Sequence, residues 1–221
     1  LTYGDQTTVL VKADEQNIDK LTTKVENGVL KIGSENGMRN VRTLEVYITM
    51  KRLDVLKNSG SGDISCKGLE GNDVKVTING SGDLDAELQV KNMELSIAGS
   101  GDVSLSGVRG DFSISVNGSG DVEASELQLE ECKVIIQGSG DVKLKGAASY
   151  FMTRQNGSGD INAYGLKAVD VEVNNSGSGD MIVQVMNSLT AMINGSGDLT
   201  YHGAPETVDV ISNGSGEVYR K

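Results

Sequence analysis

The tetrapeptide Gly-Ser-Gly-Asp recurs along this chain at nearly constant spacing, and the repeat constrains the fold more than any other feature. Nine copies begin 18 to 20 residues apart, and the ninth ends in Glu217 instead of aspartate. Self-similarity at a fixed period of this length is typical of proteins built from stacked units. The copies begin at Gly60, Gly80, Gly99, Gly118, Gly138, Gly157, Gly177, Gly195 and Gly214.

Residues on both sides of each copy alternate between apolar and polar. The positions two, four and six residues before the later copies are apolar at twenty of twenty-four places. The residue directly after the acidic one is apolar in all nine copies, from Ile64 to Val218. A period of two indicates a strand with one face in a core. Each unit therefore consists of a strand, a short bend, a second strand and a GSG turn.

Two architectures satisfy this pattern. In a parallel β-solenoid each unit is one coil, whereas in an antiparallel meander each GSG is a hairpin turn. The one-residue fluctuations in spacing and the matching residue types at equivalent positions favour the solenoid. Stacked coils also need few large side chains, which suits a chain with 4% aromatic residues and no tryptophan. We predict an all-β, parallel β-helix of about 19 residues per coil, right-handed as parallel crossovers usually are.

Residues 1–58 precede the repeats, and we predict that they form a β-rich cap on the first coil of a repeat domain at 59–221. Thr7–Ala13 alternates as a strand, Asn17–Val25 suggests a short helix, and Asn27-Gly28 is a hairpin signal. A cap would cover the unpaired sheet edge of the first coil, which otherwise invites association. A separate ligand-binding domain is the alternative for this segment.

Charge and hydropathy exclude several classes of partner. The net charge of −11 and the pI of 4.6 disfavour nucleic acid, because neutralising phosphates needs clustered Lys and Arg. An anionic membrane surface is disfavoured for the same reason. No apolar run approaches the roughly 20 residues of a transmembrane helix. The chain begins at Leu1 within a strand-like run, which we interpret as a processed or trimmed product.

The glycines and aspartates of the repeat are the candidate site residues, and we assign them a structural role in the turn. Asp accepts hydrogen bonds from turn N–H groups, which would offset the repulsion between carboxylates stacked roughly 4.8 Å apart. The predicted turn residues are Gly60, Gly62, Asp63, Gly80, Gly82, Asp83, Gly99, Gly101, Asp102, Gly118, Gly120, Asp121, Gly138, Gly140, Asp141, Gly157, Gly159, Asp160, Gly177, Gly179, Asp180, Gly195, Gly197 and Asp198.

Calcium binding and phosphate binding are the two ligand-binding alternatives for this turn. A calcium ladder is disfavoured because one acidic turn per coil offers few of the roughly six to eight oxygens that calcium prefers. A phosphate-binding loop requires Lys-Ser/Thr and a helix after the glycines, whereas a strand follows here. We therefore predict no metal and no cofactor.

Asparagines next to the turn are predicted to support it. Those directly before the first glycine are expected to adopt or flank a left-handed conformation, or to stack as an amide ladder. Asn58 and Asn175 lie one place earlier, on the inward side, and are expected to bond the turn from within. The asparagines directly before the turn are Asn79, Asn117, Asn156, Asn194 and Asn213.

The chain contains little that could perform catalysis. His202 is its one histidine and is expected to be solvated on the outside, while Asp85 and Glu87 form an off-pattern acidic pair. Cys66 and Cys132 lie inward and three coils apart, so a disulfide cannot join them and buried free thiols are expected. We predict a protein that is not an enzyme, with a carbohydrate-active enzyme as the alternative.

Candidate binding residues lie toward the C-terminal end. Tyr164 and Tyr219 point outward by parity, and Tyr150 lies near a bend. The columns become irregular over residues 150–220, which makes this region a candidate face for a partner or a homo-oligomer. The residues that break the pattern are Met152, Arg154, Gln155, Ile182, Met192, Tyr201 and Ile211.

The ladder of NGSGD turns, preceded by "VKADEQNIDKLTTKVENGVLKI", resembles the head GIN domain family, whose members are described as autotransporter adhesins and come largely from Gram-negative bacteria. The resemblance covers nearly the whole chain. It implies a pectin-lyase-like β-helix without catalytic residues, exported to the cell surface, outer membrane or periplasm. It also implies adhesion to a host or cell-surface glycan or protein. The family has no catalytic motif, so no residue inherits a role.

These observations predict a non-catalytic, cell-surface or secreted, adhesin-like binding protein. A polysaccharide-active β-helix enzyme and a purely structural envelope protein are the alternatives.

Overall fold

The chain folds into two compact units, Leu1–Lys51 and Arg52–Lys221, both built mainly of β-strands. The computed structural model describes residues 1–34, 38 and 40–221. Within these residues, no helix has the length and apolar character that crossing a lipid bilayer requires.

The N-terminal unit contains a three-stranded sheet and a separate hairpin. In the sheet, β5 (Leu44–Met50) pairs parallel with β1 (Thr2–Tyr3) and antiparallel with β2 (Thr8–Ala13). The hairpin joins β3 (Leu21–Glu26) to β4 (Val29–Ser34). The strand predicted from the alternation of residues 7–13 is therefore confirmed.

Two predictions from the sequence of this unit, a hairpin turn and a short helix, can be compared with the structure. The hairpin turn at Asn27-Gly28 is confirmed, and both residues have the positive φ, 51° and 78°, of a type I′ turn. The short helix predicted over Asn17–Val25 is wrong for most of its length. Helix α1 spans only Glu15–Ile18, and the chain is strand from Leu21 onward. The β-branched residues of that run favour a strand once β4 is available for pairing.

The C-terminal unit is a parallel β-solenoid, as the repeat predicts. Every ladder between its strands is parallel, and paired residues lie 17–20 positions apart in the chain. Its strands are β6 (Val55–Asn58), β7 (Ile64–Ile78), β8 (Leu84–Ile97), β9 (Val103–Val108), β10 (Phe112–Val116), β11 (Val122–Ile136), β12 (Val142–Gln155), β13 (Ile161–Asn175), β14 (Met181–Ile193), β15 (Leu199–His202), β16 (Thr207–Ser212) and β17 (Val218–Arg220).

The first strand of the solenoid, β6, lies within the segment assigned to the cap from sequence. It pairs in parallel with β7, so it belongs to the stack. The capping role of residues 1–58 stays a prediction.

Stacked apolar columns form the core of the solenoid. Ile114, for example, pairs with Leu95 of the preceding coil and with Val134 of the following one, and all three side chains are fully buried. Burial of one such side chain contributes about 1.5–3 kcal/mol. The same column continues through most coils, so the core is thin, repetitive and assembled from medium-sized residues.

The glycines of the GSG turn are required by the neighbouring coil. A Cβ added to the first glycine of any copy after the first would lie only 1.8–2.0 Å from the carbonyl oxygen of the equivalent glycine in the preceding coil. For the second glycine the corresponding distance is 2.0–2.2 Å. Positive φ is found instead at mid-coil bends, for example at Gly107. Freedom to turn, our expectation from sequence, is therefore not the main reason for these glycines.

Polar side chains inside the stack bond the turns, as predicted. Asn58 donates from Nδ2 to the carbonyl oxygen of Gly62 at 2.8 Å and accepts from the N–H of Gly60 at 3.1 Å. Asn175 repeats both bonds at its own turn, with distances of 3.1 and 2.9 Å. An inward polar residue is tolerated at these places because the turn supplies its partners.

Both cysteines are buried free thiols, which confirms the expectation from their spacing. Burial raises the pKa of the Cys66 thiol to about 11 and also raises the pKa of the Cys132 thiol. The two side chains therefore act as small apolar core residues rather than as nucleophiles.

The backbone contact between turns predicts a difference between two glycines of the same motif. Gly120→Ala should lower the free energy of unfolding by about 1–3 kcal/mol, because its methyl group would overlap the carbonyl oxygen of Gly101. Urea denaturation followed by circular dichroism measures the loss. Gly62→Ala is the matched control, since nothing lies within 4 Å of its added Cβ. Equal effects of the two substitutions would contradict this explanation.

Candidate binding surface

The aspartates of the repeat form a hydrogen-bonded ladder along one edge of the solenoid. Each carboxylate accepts, through Oδ1, the backbone N–H of the equivalent residue in the next coil, at 2.7–3.0 Å. The ladder runs from Asp63 to the N–H of Glu217. Such charge-assisted bonds are stronger than neutral ones, so each offsets part of the repulsion between neighbouring carboxylates.

A shallow acidic groove follows the first part of this ladder. It has a volume of about 530 Å³ and lies between the aspartate ladder and the outward residues of the next column. At the far end, Lys143 and Lys145 contact Glu123 at 3.1 and 2.8 Å, and these bonds lower the pKa of the Glu123 carboxyl. Asp85 of the acidic pair considered for catalysis lines the groove, whereas Glu87 is outside its lining.

Metal binding has no geometric support along this edge. In residues 1–34, 38 and 40–221, no three His, Cys, Asp or Glu side chains converge in a way that could hold a metal ion. In the ladder, one oxygen of each carboxylate is already engaged by a backbone N–H. What the groove offers to a ligand is a row of exposed negative charges.

The asparagines before the turn behave differently from one another. None has the left-handed conformation that was one of the expectations, since the positive φ values outside glycine in the described chain are at Asn27, Asn40 and Glu126. An amide ladder forms where two asparagines are neighbours in the stack: Asn213 donates to Asn194 at 3.1 Å. Elsewhere Ala, Gln or Ser separates the asparagines, so a continuous ladder cannot form.

His202 is not simply solvated, which corrects the expectation from sequence. Its ring packs edge-on against the ring of Tyr164, with 4.6 Å between centroids and an angle of 65° between planes. The two residues come from coils two apart, and each lies seven positions after the first glycine of its turn. The spacing therefore places them in one outward column but roughly 10 Å apart, farther than the rings are in the structure. Beside this contact the ladder between β13 and β14 shifts register after Ala163, so Tyr164 has no paired residue in the intervening coil.

The other tyrosines proposed from sequence as binding residues donate hydrogen bonds to carboxylates. Tyr150 donates its hydroxyl to Glu172 at 2.6 Å, and Tyr219 donates its hydroxyl to Glu217. These bonds raise the pKa of both phenols to about 12. Tyr219 remains 42% exposed, so its ring is available to a ligand.

Two of the irregular residues near the C-terminal end lie on the surface, whereas Gln155 is fully buried. Met192 and Ile211 are stacked partners on adjacent coils and are 40% and 48% exposed. Met192 and Ile211 lie shortly before a turn, whereas Tyr164 and His202 lie shortly after one. The region singled out from sequence therefore presents exposed apolar or aromatic side chains on both sides of the turns.

Removing one carboxylate tests the role of the aspartate ladder. Asp121→Ala should be about 1 kcal/mol less stable than Asp121→Asn, because only the alanine leaves the Asp141 N–H without its acceptor. Both substitutions remove the same charge, and thermal and urea denaturation of the pair isolates the hydrogen bond. Asp85→Ala, which removes a nearby charge outside the ladder, is the control. Equal stability of the two Asp121 variants would show that charge alone matters.

Comparison with known proteins agrees with this architecture. One neighbour is a putative lipid binding protein from Parabacteroides distasonis ATCC 8503, with a TM-score of 0.68 and 25% identity over 98% of this chain and 87% of the other. A putative adhesin from the same strain has a TM-score of 0.68 and 23% identity over 98% and 87%. A putative adhesin from Bacteroides fragilis NCTC 9343 has a TM-score of 0.56 and 20% identity over 100% and 86%.

Sequence comparison identifies the family. No curated protein matches the chain. The family model described as "Putative auto-transporter adhesin, head GIN domain" matches residues 1–145 and 130–205, which together cover most of the sequence. The chain therefore belongs to the head GIN domain family of auto-transporter adhesins.

Proposed function

We propose that this protein is a non-catalytic, adhesin-like binding protein, exported and displayed at the cell surface, outer membrane or periplasm. Family membership supports the adhesive role. A host or cell-surface glycan or protein is its partner, and the solenoid is the rigid scaffold that presents the binding surface. Neither nucleic acid nor an anionic membrane suits a chain with a net charge of −11.

One observation carries the non-catalytic part of the proposal. The aspartates of the ladder recur in every coil, and each accepts the backbone N–H of the next coil. Asp85 and Glu123 are the two carboxylates of the groove lining that stand outside this row. A glycosidase instead needs two carboxyl groups with different environments, one acid and one base or nucleophile. A repeated, uniformly bonded row suits a scaffold better than a catalytic pair. This is why we favour binding over a polysaccharide-active enzyme.

Adhesion and turnover can be measured on the same protein. We expect the fluorescently labelled chain to bind cells or immobilised glycans saturably and to release no reducing ends from polysaccharides. Heat-denatured protein is the control for non-specific adsorption. Depolymerisation of any polysaccharide would support the enzyme instead. Absence of binding to cells, glycans and extracellular proteins alike would favour a purely structural envelope protein.

Lipid contact is a second candidate function, favoured by the hairpin of the N-terminal unit. One of its faces is apolar and includes Leu21, Val25, Leu30 and Ile32, with Val25 and Ile32 71% and 40% exposed. The structural neighbour named a putative lipid binding protein aligns with nearly the whole chain. Large exposed apolar surfaces often mark interaction sites.

Vesicle binding tests this second candidate. If lipid contact is a function, the chain should co-sediment with uncharged phosphatidylcholine vesicles, and Val25→Ser combined with Ile32→Ser should abolish most of the binding. Val55→Ser is the matched control, since Val55 is 63% exposed on the solenoid. No co-sedimentation, or equal loss in the control, would eliminate the hairpin as a lipid-binding element.

A further inference from the structure

A local irregularity in the solenoid displays Tyr164. Ala163 pairs with Val183 of the following coil, but the next paired residue is Lys167, opposite Gln184. Tyr164, Gly165 and Leu166 therefore have no counterpart in that coil. Bulges of this kind bend a strand and redirect a side chain. The same ladder shifts register again between Ala168 and Asp170, and the ladder to the preceding coil shifts between Lys143 and Lys145, so the irregularity extends beyond the segment that carries the tyrosine.

Within the bulge, the Leu166 side chain points into the core and the Tyr164 ring points outward. Leu166 is fully buried, whereas Tyr164 is 56% exposed and contacts His202 of a coil two further along. The Tyr164 backbone N–H donates to Asn162 Oδ1 at 3.3 Å, which supports the local turn. The two rings form a small aromatic platform on the outer surface.

A groove of about 270 Å³ borders this platform. Thr200 lines the groove and lies two residues before His202 on the outward side of β15, so the ring pair and the groove are adjacent. Ile182 and Tyr219 are the stacked partners of Thr200 on the neighbouring coils. The groove is lined by Asp180, Met181, Ile182, Asp198, Thr200, Tyr219 and Lys221.

The chemistry of this surface suits an uncharged sugar. The C–H face of a pyranose ring packs on aromatic rings, and its hydroxyl groups can bond to the Thr200 hydroxyl and to the Asp180 and Asp198 carboxylates. The two carboxylates and the net charge of −11 repel anionic sugars. Lys221 is the one cation in the groove lining. An uncharged saccharide thus uses both the rings and the polar groups, whereas an acidic one meets a negative potential.

We propose that this surface binds an uncharged saccharide chain, with one pyranose stacked on the Tyr164–His202 platform and the following sugars in the groove toward Tyr219. This inference rests on the proposed binding function and names its ligand class. The coils rise by roughly 4.8 Å. A saccharide lying along the solenoid axis therefore meets equivalent positions on successive coils.

Binding of defined oligosaccharides tests the proposal. The full chain is titrated with neutral hexasaccharides of glucose, mannose and galactose, and with hexagalacturonate as the acidic comparator. Isothermal calorimetry is the primary measurement. Tyrosine fluorescence is a second one, because the chain contains six tyrosines and no tryptophan. We expect at least one neutral hexasaccharide to bind and hexagalacturonate to bind more weakly.

Substitutions of the two platform residues test whether the saccharide binds there. Tyr164→Ala and His202→Ala should each weaken neutral-sugar binding by about tenfold or more, whereas Tyr164→Phe should retain it within about threefold, since the ring remains. Tyr47→Ala is the matched control, because Tyr47 is 53% exposed on the N-terminal unit. Circular dichroism and thermal unfolding of each variant check that the solenoid is intact.

The possible outcomes separate this inference from the proposed function. Loss of neutral-sugar binding in Tyr164→Ala but not in Tyr47→Ala supports the platform. Neutral-sugar binding that is unchanged in Tyr164→Ala, or preference for hexagalacturonate, overturns it and leaves an adhesin with another site. Adhesion to cells without binding of any hexasaccharide overturns the saccharide assignment alone. Failure of both assays overturns the proposed function as well.

Discussion

Contact between the backbones of successive turns is the constraint on which the solenoid depends. A carbonyl oxygen of one coil occupies the space where the next coil would carry a Cβ, at both glycines of the turn. The serine between them donates its N–H to the first glycine of the preceding copy, at 3.0–3.1 Å throughout the stack. Any side chain larger than hydrogen at the glycines would push the coils apart and break these bonds. The first copy has no equivalent turn stacked beneath it, and its glycines are uncrowded.

The close stacking of turns also explains the chemistry of the acidic edge. Once coils are held at β-sheet spacing, eight aspartates and a glutamate must lie in a row, which is unfavourable for like charges. The carboxylates are instead used as acceptors for the backbone N–H groups of the next coil. The negative charge that remains exposed makes this edge unsuitable for anionic ligands. The scaffold therefore determines part of the specificity of the surface beside it.

Predictions from the sequence were confirmed where the structure follows the repeat. They were wrong or missing where an interaction departs from it. The coil, its core columns, the buried thiols and the inward bonds of Asn58 and Asn175 all follow from position within the repeat. The helix expected over Asn17–Val25 was wrong because pairing with a second strand overrode the local signal. The Tyr164–His202 contact was missed because residues two coils apart in one column are expected roughly 10 Å apart, and the sequence does not show the register shift beside Tyr164.

The amino-acid sequence by itself determined that the C-terminal unit is a stack of coils. The period of 18–20 residues places equivalent side chains above one another, and alternation decides which of them are buried. Only the tertiary structure decided why the turns contain glycine and where the outer surface departs from the repeat. Both depend on distances between coils, which arise when separate parts of the chain come together and are not encoded in any one repeat. The candidate binding platform belongs to this second class, because two rings from coils that are not neighbours pack together beside the register shift at Tyr164.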